Sequence, residues 1–107
     1  MAMSPQNPGV VTRNKEEQEQ VDRETEKLAL YYYETCPFCT RVLRTIERLR
    51  LKIEMRNIRE VPAYREQLIQ GGGSPAVPCL LIQYDDGSMK WLYESDDIMN
   101  YLEERFA

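Results

Sequence analysis

Histidine is missing from all 107 residues. Its absence excludes Ser-His-Asp and Cys-His nucleophilic catalysis and takes away the commonest metal ligand. Cysteine is scarce: Cys36, Cys39 and Cys79 are the only three, and an odd number does not read as a disulfide scaffold. No run approaches the roughly eighteen consecutive apolar residues of a membrane-spanning helix, so no membrane insertion is expected. Met1 to Gly9 has neither the basic start nor the apolar stretch of a secretory signal. The expected location is therefore cytoplasmic, where thiols are kept reduced. Cations are outnumbered, 14 Lys and Arg against 18 Asp and Glu, for a net charge of −4. That balance argues against a general nucleic-acid binder and against adhesion to anionic membranes.

What is present suits one soluble domain. Hydrophobic residues make up 42% and charged residues 30%, enough for a single core at this length. Residues 1–27 stand apart as a polar N-terminal extension. Met1 to Asn14 holds prolines and few large apolar groups, and Lys15 to Lys27 has Val21 as its only aliphatic residue. The latter stretch can form a marginal, solvated helix but shows no apolar stripe for docking. Residues 28–107 read as the compact domain.

Within it, Leu28 to Tyr33 reads as a buried strand. Pro37 to Leu49 follows at helical spacing, with Val42, Leu43, Ile46 and Leu49 on one face, and Pro37 suits the first turn, where a missing N–H is harmless. Leu51 to Ile58 alternates as a second strand. Val61 to Gln70 fits a short helix stopped by Gly71-Gly72-Gly73. Val77 to Gln83 and Met89 to Tyr93 form a hairpin across Asp85-Asp86-Gly87. Asp96 to Phe106 closes as a helix, with Ser95 or Asp96 as N-cap. The first βαβ unit implies two parallel strands and the hairpin adds antiparallel ones.

Cys36-Pro37-Phe38-Cys39 is the element that carries chemistry. It falls where a strand ends and a helix begins. The unpaired N–H groups and partial positive charge of a first helical turn favour a thiolate at Cys36, whereas a free thiol is only a few per cent ionised at neutral pH. Cys39, one turn on, is placed to attack a mixed disulfide on Cys36. Arg41 and Arg44 add positive potential. Two plainer readings compete. A structural zinc site needs four ligands, and only Cys79 is left to supply one, so no metal is expected. Two inert buried cysteines would not account for the proline at a helix start after an apolar strand.

The run L-Y-Y-Y-E-T-C-P-F-C, Leu30 to Cys39, resembles the active-site strand and helix start of glutaredoxins. Ala76-Val77-Pro78 resembles their T-V-P segment, in which the proline is cis and lies beside the cysteines. Glu94-Ser95-Asp96-Asp97, running into Ile98 and Tyr101-Leu102, is similar to the E-S…I…Y-L pattern of glutathione-transferase N-terminal domains. The likeness runs from Leu28 to the C-terminus. It implies an α/β, thioredoxin-like fold: a four-stranded mixed sheet of two parallel strands plus a β-hairpin, flanked by about three helices. The implied activity is glutathione-dependent thiol–disulfide exchange on protein or glutathione mixed disulfides. Cys36 would be the nucleophile, Cys39 the resolving thiol and glutathione the co-substrate. The implied partners are glutathione and disulfide-containing or glutathionylated proteins, with the chain acting as a monomer.

The same resemblance implies a glutathione site. The backbone of Val77, before Pro78, would pair with the cysteinyl part. Ser95, with Glu94 or Asp96, would hold the γ-glutamyl end. Phe38, between the cysteines, and Tyr33 would border the ligand. Tyr33 is itself a departure, because many glutaredoxins carry a lysine there that helps hold the glycyl carboxylate. Arg65 is a substitute for that charge, though it reads more simply as a solvated helix residue. Cys79 reads as a buried strand residue, and Trp91, Tyr93, Tyr31 and Tyr32 as core and sheet-face aromatics.

Two alternatives come from the same likeness. The Leu30–Cys39 run also resembles the thioredoxin-like domain of membrane-associated prostaglandin E synthase type 2, and so a transferase- or isomerase-like domain. Some glutaredoxins instead bridge a [2Fe–2S] cluster through the first cysteine and glutathione, although a proline after that cysteine is less favourable to this in the family.

Overall fold

A computed structural model describes residues 11–107. The elements run α1 (Lys15–Thr25), β1 (Leu28–Tyr32), α2 (Pro37–Arg48), β2 (Glu54–Asn57), α3 (Pro62–Gly72), β3 (Cys79–Gln83), β4 (Met89–Leu92) and α4 (Ser95–Phe106). The strands form one mixed sheet in the order β2-β1-β3-β4. β1 runs parallel to β2, and β3 is antiparallel to both β1 and β4. The expected four-stranded sheet is therefore present, with one helix more than the three expected.

β1 and β3 are the inner strands, which explains their composition. A strand covered on both faces has no use for polar alternation. Leu28, Ala29, Leu30 and Tyr31 are all buried, as are Cys79, Leu80, Leu81 and Ile82. Side chains of successive residues go to opposite faces, so the sheet carries two cores. Leu28, Leu30, Leu80 and Ile82 meet Val42 and Ile46 of α2 and Ile98, Leu102 and Phe106 of α4. Ala29, Tyr31, Cys79 and Leu81 meet Leu68 of α3 on the other side. Each fully buried leucine or isoleucine contributes about 1.5–3 kcal/mol over its exposed state.

Several boundaries differ from the sequence expectation, each for a physical reason. The ladder of β2 begins at Glu54 rather than Leu51, although Leu51 and Ile53 are buried in the core. β3 begins at Cys79, because Pro78 brings no N–H to a ladder. α3 runs through Gly71 and Gly72 and ends at Gly73, whose φ of 93° is left-handed. The first two glycines serve close packing instead. A Cβ on Gly71 would lie 2.1 Å from the Trp91 ring, and one on Gly72 would lie 2.0 Å from the Tyr93 hydroxyl. At the last helix the N-cap is Glu94, with no side-chain capping bond, rather than Ser95 or Asp96.

The polar stretch before the domain also differs from expectation. Residues 1–10 lie outside the described part, but α1 is a capped helix docked without an apolar stripe. Asn14 and Glu17 form a capping box. Arg13 donates to the Leu49 carbonyl at 2.7 Å and to the Phe106 carbonyl, joining the C-terminal ends of α2 and α4. Gln18 donates to the Arg50 carbonyl at 2.9 Å, and Lys52–Asp22 and Arg105–Glu24 form ion pairs. Polar side chains satisfying helix-end carbonyls thus share the docking with Val11 and Val21, which pack against the main core without forming a stripe. Among the described residues no helix is long and apolar enough to cross a membrane.

Candidate active site

Cys36 is the N-cap of α2, reached by a turn in which its N–H donates to the Tyr33 carbonyl at 3.3 Å. The Cys36 Sγ accepts from the Cys39 N–H at 3.3 Å, the place a capping oxygen normally fills. Its S–H lies 3.9 Å from the Val77 carbonyl. The Val77–Pro78 peptide is cis. A thiolate nucleophile at a helix start is expected to be exposed, yet Cys36 is only 4% exposed and does not itself line the neighbouring groove.

Cys39 is buried outright. Burial, with the Cys36 sulfur beside it, pushes the Cys39 thiol up from 9.0 to about 12. Cys79, on the opposite face of the sheet in register with Tyr31, is likewise buried and is pushed up to about 12 by burial. All three cysteines are free thiols.

A groove of about 220 Å³ gathers six of the seven expected ligand-site residues: Phe38 from α2, Val77 and Pro78 from the loop before β3, and Glu94, Ser95 and Asp96 at the start of α4. Phe38 is 58% exposed, a large apolar side chain left to meet something other than its own core. Ser95 is buried, whereas Glu94 and Asp96 stand at the surface.

Tyr33 is not in that groove. It lines a separate hollow of about 310 Å³ with Thr35, Asn57 and Arg59. The Arg59 guanidinium lies 3.6 Å from the centroid of the Tyr33 ring, and its Nη1 donates to Thr35 Oγ1 at 3.3 Å. The cation missing from position 33 is thus present beside it, delivered by the turn after β2. Arg65 does not line the hollow. Nothing in the sequence linked Arg59 to Tyr33, because 25 residues, including all of α2 and β2, separate them.

Two residues expected elsewhere, Arg41 as a source of positive potential near Cys36 and Tyr93 as a core aromatic, also line the groove. Arg41 pairs with Asp96 at 3.0 Å, bridging α2 and α4. The Tyr93 hydroxyl donates to the Ser74 carbonyl at 2.9 Å. That bond fixes the loop carrying Val77. Burial and neighbouring Cys79 push the Tyr93 hydroxyl above the ordinary phenol range, so it is a neutral donor at physiological pH. The adjoining Gly71-Gly72 was the available signal, since paired glycines often mark a close approach. Among the described residues no three carboxylates and cysteines converge as a metal site.

Residues 30–107 match the glutathione S-transferase N-terminal domain. The chain belongs to that family. Maleylacetoacetate isomerase from Anaeromyxobacter dehalogenans, solved with GSH bound in its active site, superposes with a TM-score of 0.57 at 28% identity. The overlap covers 75% of this chain and 38% of the isomerase. The trimeric glutathione transferase TDR1 of Leishmania gives a TM-score of 0.57 at 28% identity, over 75% of this chain and 18% of its own. The thioredoxin-like protein BC3987 gives a TM-score of 0.55 at 20% identity, over 69% of this chain and 97% of that one. At that identity the match establishes the thioredoxin-like fold alone. This transferase-family domain thus spans well under half the length of the isomerase. No curated protein sequence matches it significantly.

Proposed function

We propose that this transferase-family domain is a glutathione-dependent thiol–disulfide oxidoreductase acting on glutathione mixed disulfides, with Cys36 as the attacking sulfur. The observation that carries this is the seat of that sulfur. It caps a helix start, accepts an N–H from Cys39, and faces the Val77 carbonyl next to a cis proline. An extended backbone beside the reacting sulfur offers a peptide-like thiol both a donor and an acceptor. Ser95 and the uncapped start of α4 suit a carboxylate, and Glu94 or Asp96 suits an ammonium. Arg59 offers a cation for a carboxylate at the far end. Glutathione carries that set of groups.

The exchange balances as two displacements. The Cys36 thiolate attacks the glutathionyl sulfur of a mixed disulfide, forming Cys36–S–SG and releasing the substrate as a thiolate that takes up a proton. A second glutathione, as thiolate, then attacks that bond, leaving glutathione disulfide and a free Cys36. Glutathione resolves better than Cys39 in this scheme. Only a thiolate attacks, and burial, the main cause holding the Cys39 proton in place, persists after Cys36 is capped. Cys36→Ser is expected to abolish glutathione-linked reduction of a glutathionylated peptide, while Cys39→Ser keeps at least about half of it. Full activity in the first variant would refute the assignment.

A transferase or isomerase role is the second reading, favoured by the family match and by the glutathione-bound isomerase. Conjugation of glutathione to an aryl halide by this domain, persisting in Cys36→Ser, would support it over disulfide exchange.

A further inference from the structure

Charge is very unevenly spread along the chain. Residues 41–59 hold seven of the fourteen cations and only two of the eighteen acids, Glu47 and Glu54. The fold concentrates part of this set around a hollow of about 760 Å³ at the end of α2 remote from Cys36. Arg44, Arg48, Arg50 and Lys52 line it, with Gln18, Leu51 and a single acid, Glu47. Arg48 pairs with Glu103 and Lys52 with Asp22, but the exposed side chains of Arg44 and Arg50 have no ion-pair partner among the described residues.

Arg50 holds this place at a cost. It follows the C-cap of α2 with φ of 55°, a left-handed position that glycine fills without strain and other residues fill at about 1 kcal/mol or more. The Leu51 N–H donates to the Ile46 carbonyl at 3.0 Å, closing the turn. A glycine would make the same turn. The arginine adds an outward guanidinium at the rim of the hollow.

We propose that this basic end of α2 is a docking surface for an acidic segment of a protein substrate, whose disulfide is then presented to Cys36. It rests on the disulfide-exchange reading and names the substrate class for that site. Charge complementarity identifies the occupant. A chain with net charge −4 repels acidic partners at long range, yet this surface reverses the sign locally. The cations are spread over the last turn of α2 and the following loop, which suits a run of carboxylates better than one compact anion. The helix sets the reach: twelve residues from Cys36 to Arg48 at about 1.5 Å each put the surface about 18 Å from the sulfur. An extended peptide spans that in about six residues.

The test uses three glutathionylated peptides: one neutral, one with four glutamates beginning six to eight residues from its cysteine, and one with the same glutamates two residues away. At low salt the widely spaced acidic peptide is expected to show kcat/KM at least about tenfold above the other two. Arg44→Glu/Arg50→Glu should erase that advantage and leave the neutral peptide unchanged, and 0.5 M salt should do the same. Fluorescence anisotropy with the widely spaced peptide bearing serine for cysteine measures docking apart from chemistry. Binding that the double variant loses supports the surface even if no peptide is turned over, in which case the disulfide-exchange reading falls alone. Equal rates for all three peptides, or no salt-sensitive binding of the serine peptide, would overturn the docking surface.

Discussion

At the scale of single residues, three sulfurs in one small domain have been given different work by their surroundings. Cys36 caps a helix, while Cys39 and Cys79 sit in packed interior on opposite faces of the sheet. Both interior thiols are raised from 9.0 to about 12, by burial first in each case. The consequence for stability has a definite sign. Below pH 9 the folded and unfolded chains both keep these protons, and the contribution is fully present. Between pH 9 and 12 the unfolded chain releases protons that the fold retains, so stability falls, by up to about 1.4 kcal/mol per pH unit for each thiol. Urea unfolding at several pH values above 9 should therefore show a shallower decline in Cys79→Ala than in the unaltered chain; identical slopes would contradict it. The cysteines themselves were legible in the sequence because their spacing is local. Arg59 against Tyr33, Arg41 against Asp96 and Tyr93 against Ser74 were not, because each pair meets only through tertiary structure.

At the scale of elements, the glycine run after α3 shows what pattern reading misses. Three consecutive glycines signal a helix stop, and only Gly73 performs that task. Gly71 and Gly72 remain helical and let the helix close on Trp91 and Tyr93. Gly72→Ala and Gly73→Ala should consequently fail in different ways. At Gly73 there is open space and a left-handed φ, so the substitution should cost about 1 kcal/mol and leave glutathione affinity alone. At Gly72 the new methyl collides with the Tyr93 hydroxyl, which must then give up the Ser74 carbonyl. Stability should drop by about 1–3 kcal/mol, and the affinity for glutathione, measured by titration calorimetry, should drop with it, because the displaced loop carries Val77. An affinity loss at Gly73 alone would reverse the assignment. Strand positions and the amphipathic faces of α2 and α4 were visible beforehand because they rest on period and apolar content. The docking of α1 was not, since it depends on carbonyls exposed at the ends of other helices, which no local pattern announces.

At the scale of the whole molecule, the site is assembled on the sheet's middle. Cys36 follows β1 and Val77 precedes β3, and these two strands are hydrogen-bonded neighbours flanked by β2 and β4. Edge strands open at lower free energy than inner ones. In native-state hydrogen exchange under mild denaturant, amides of β1 and β3 should be the last to exchange, and Cys36 should keep its native alkylation rate after β4 has begun to exchange. Loss of that rate together with β4 protection would show the sheet opening as one unit. The arrangement makes the distance between sulfur and carbonyl a property of the most durable seam in the protein. Fraying at either rim can therefore loosen the borders of the groove while the spacing between the Cys36 sulfur and the Val77 carbonyl is held by the inner strands.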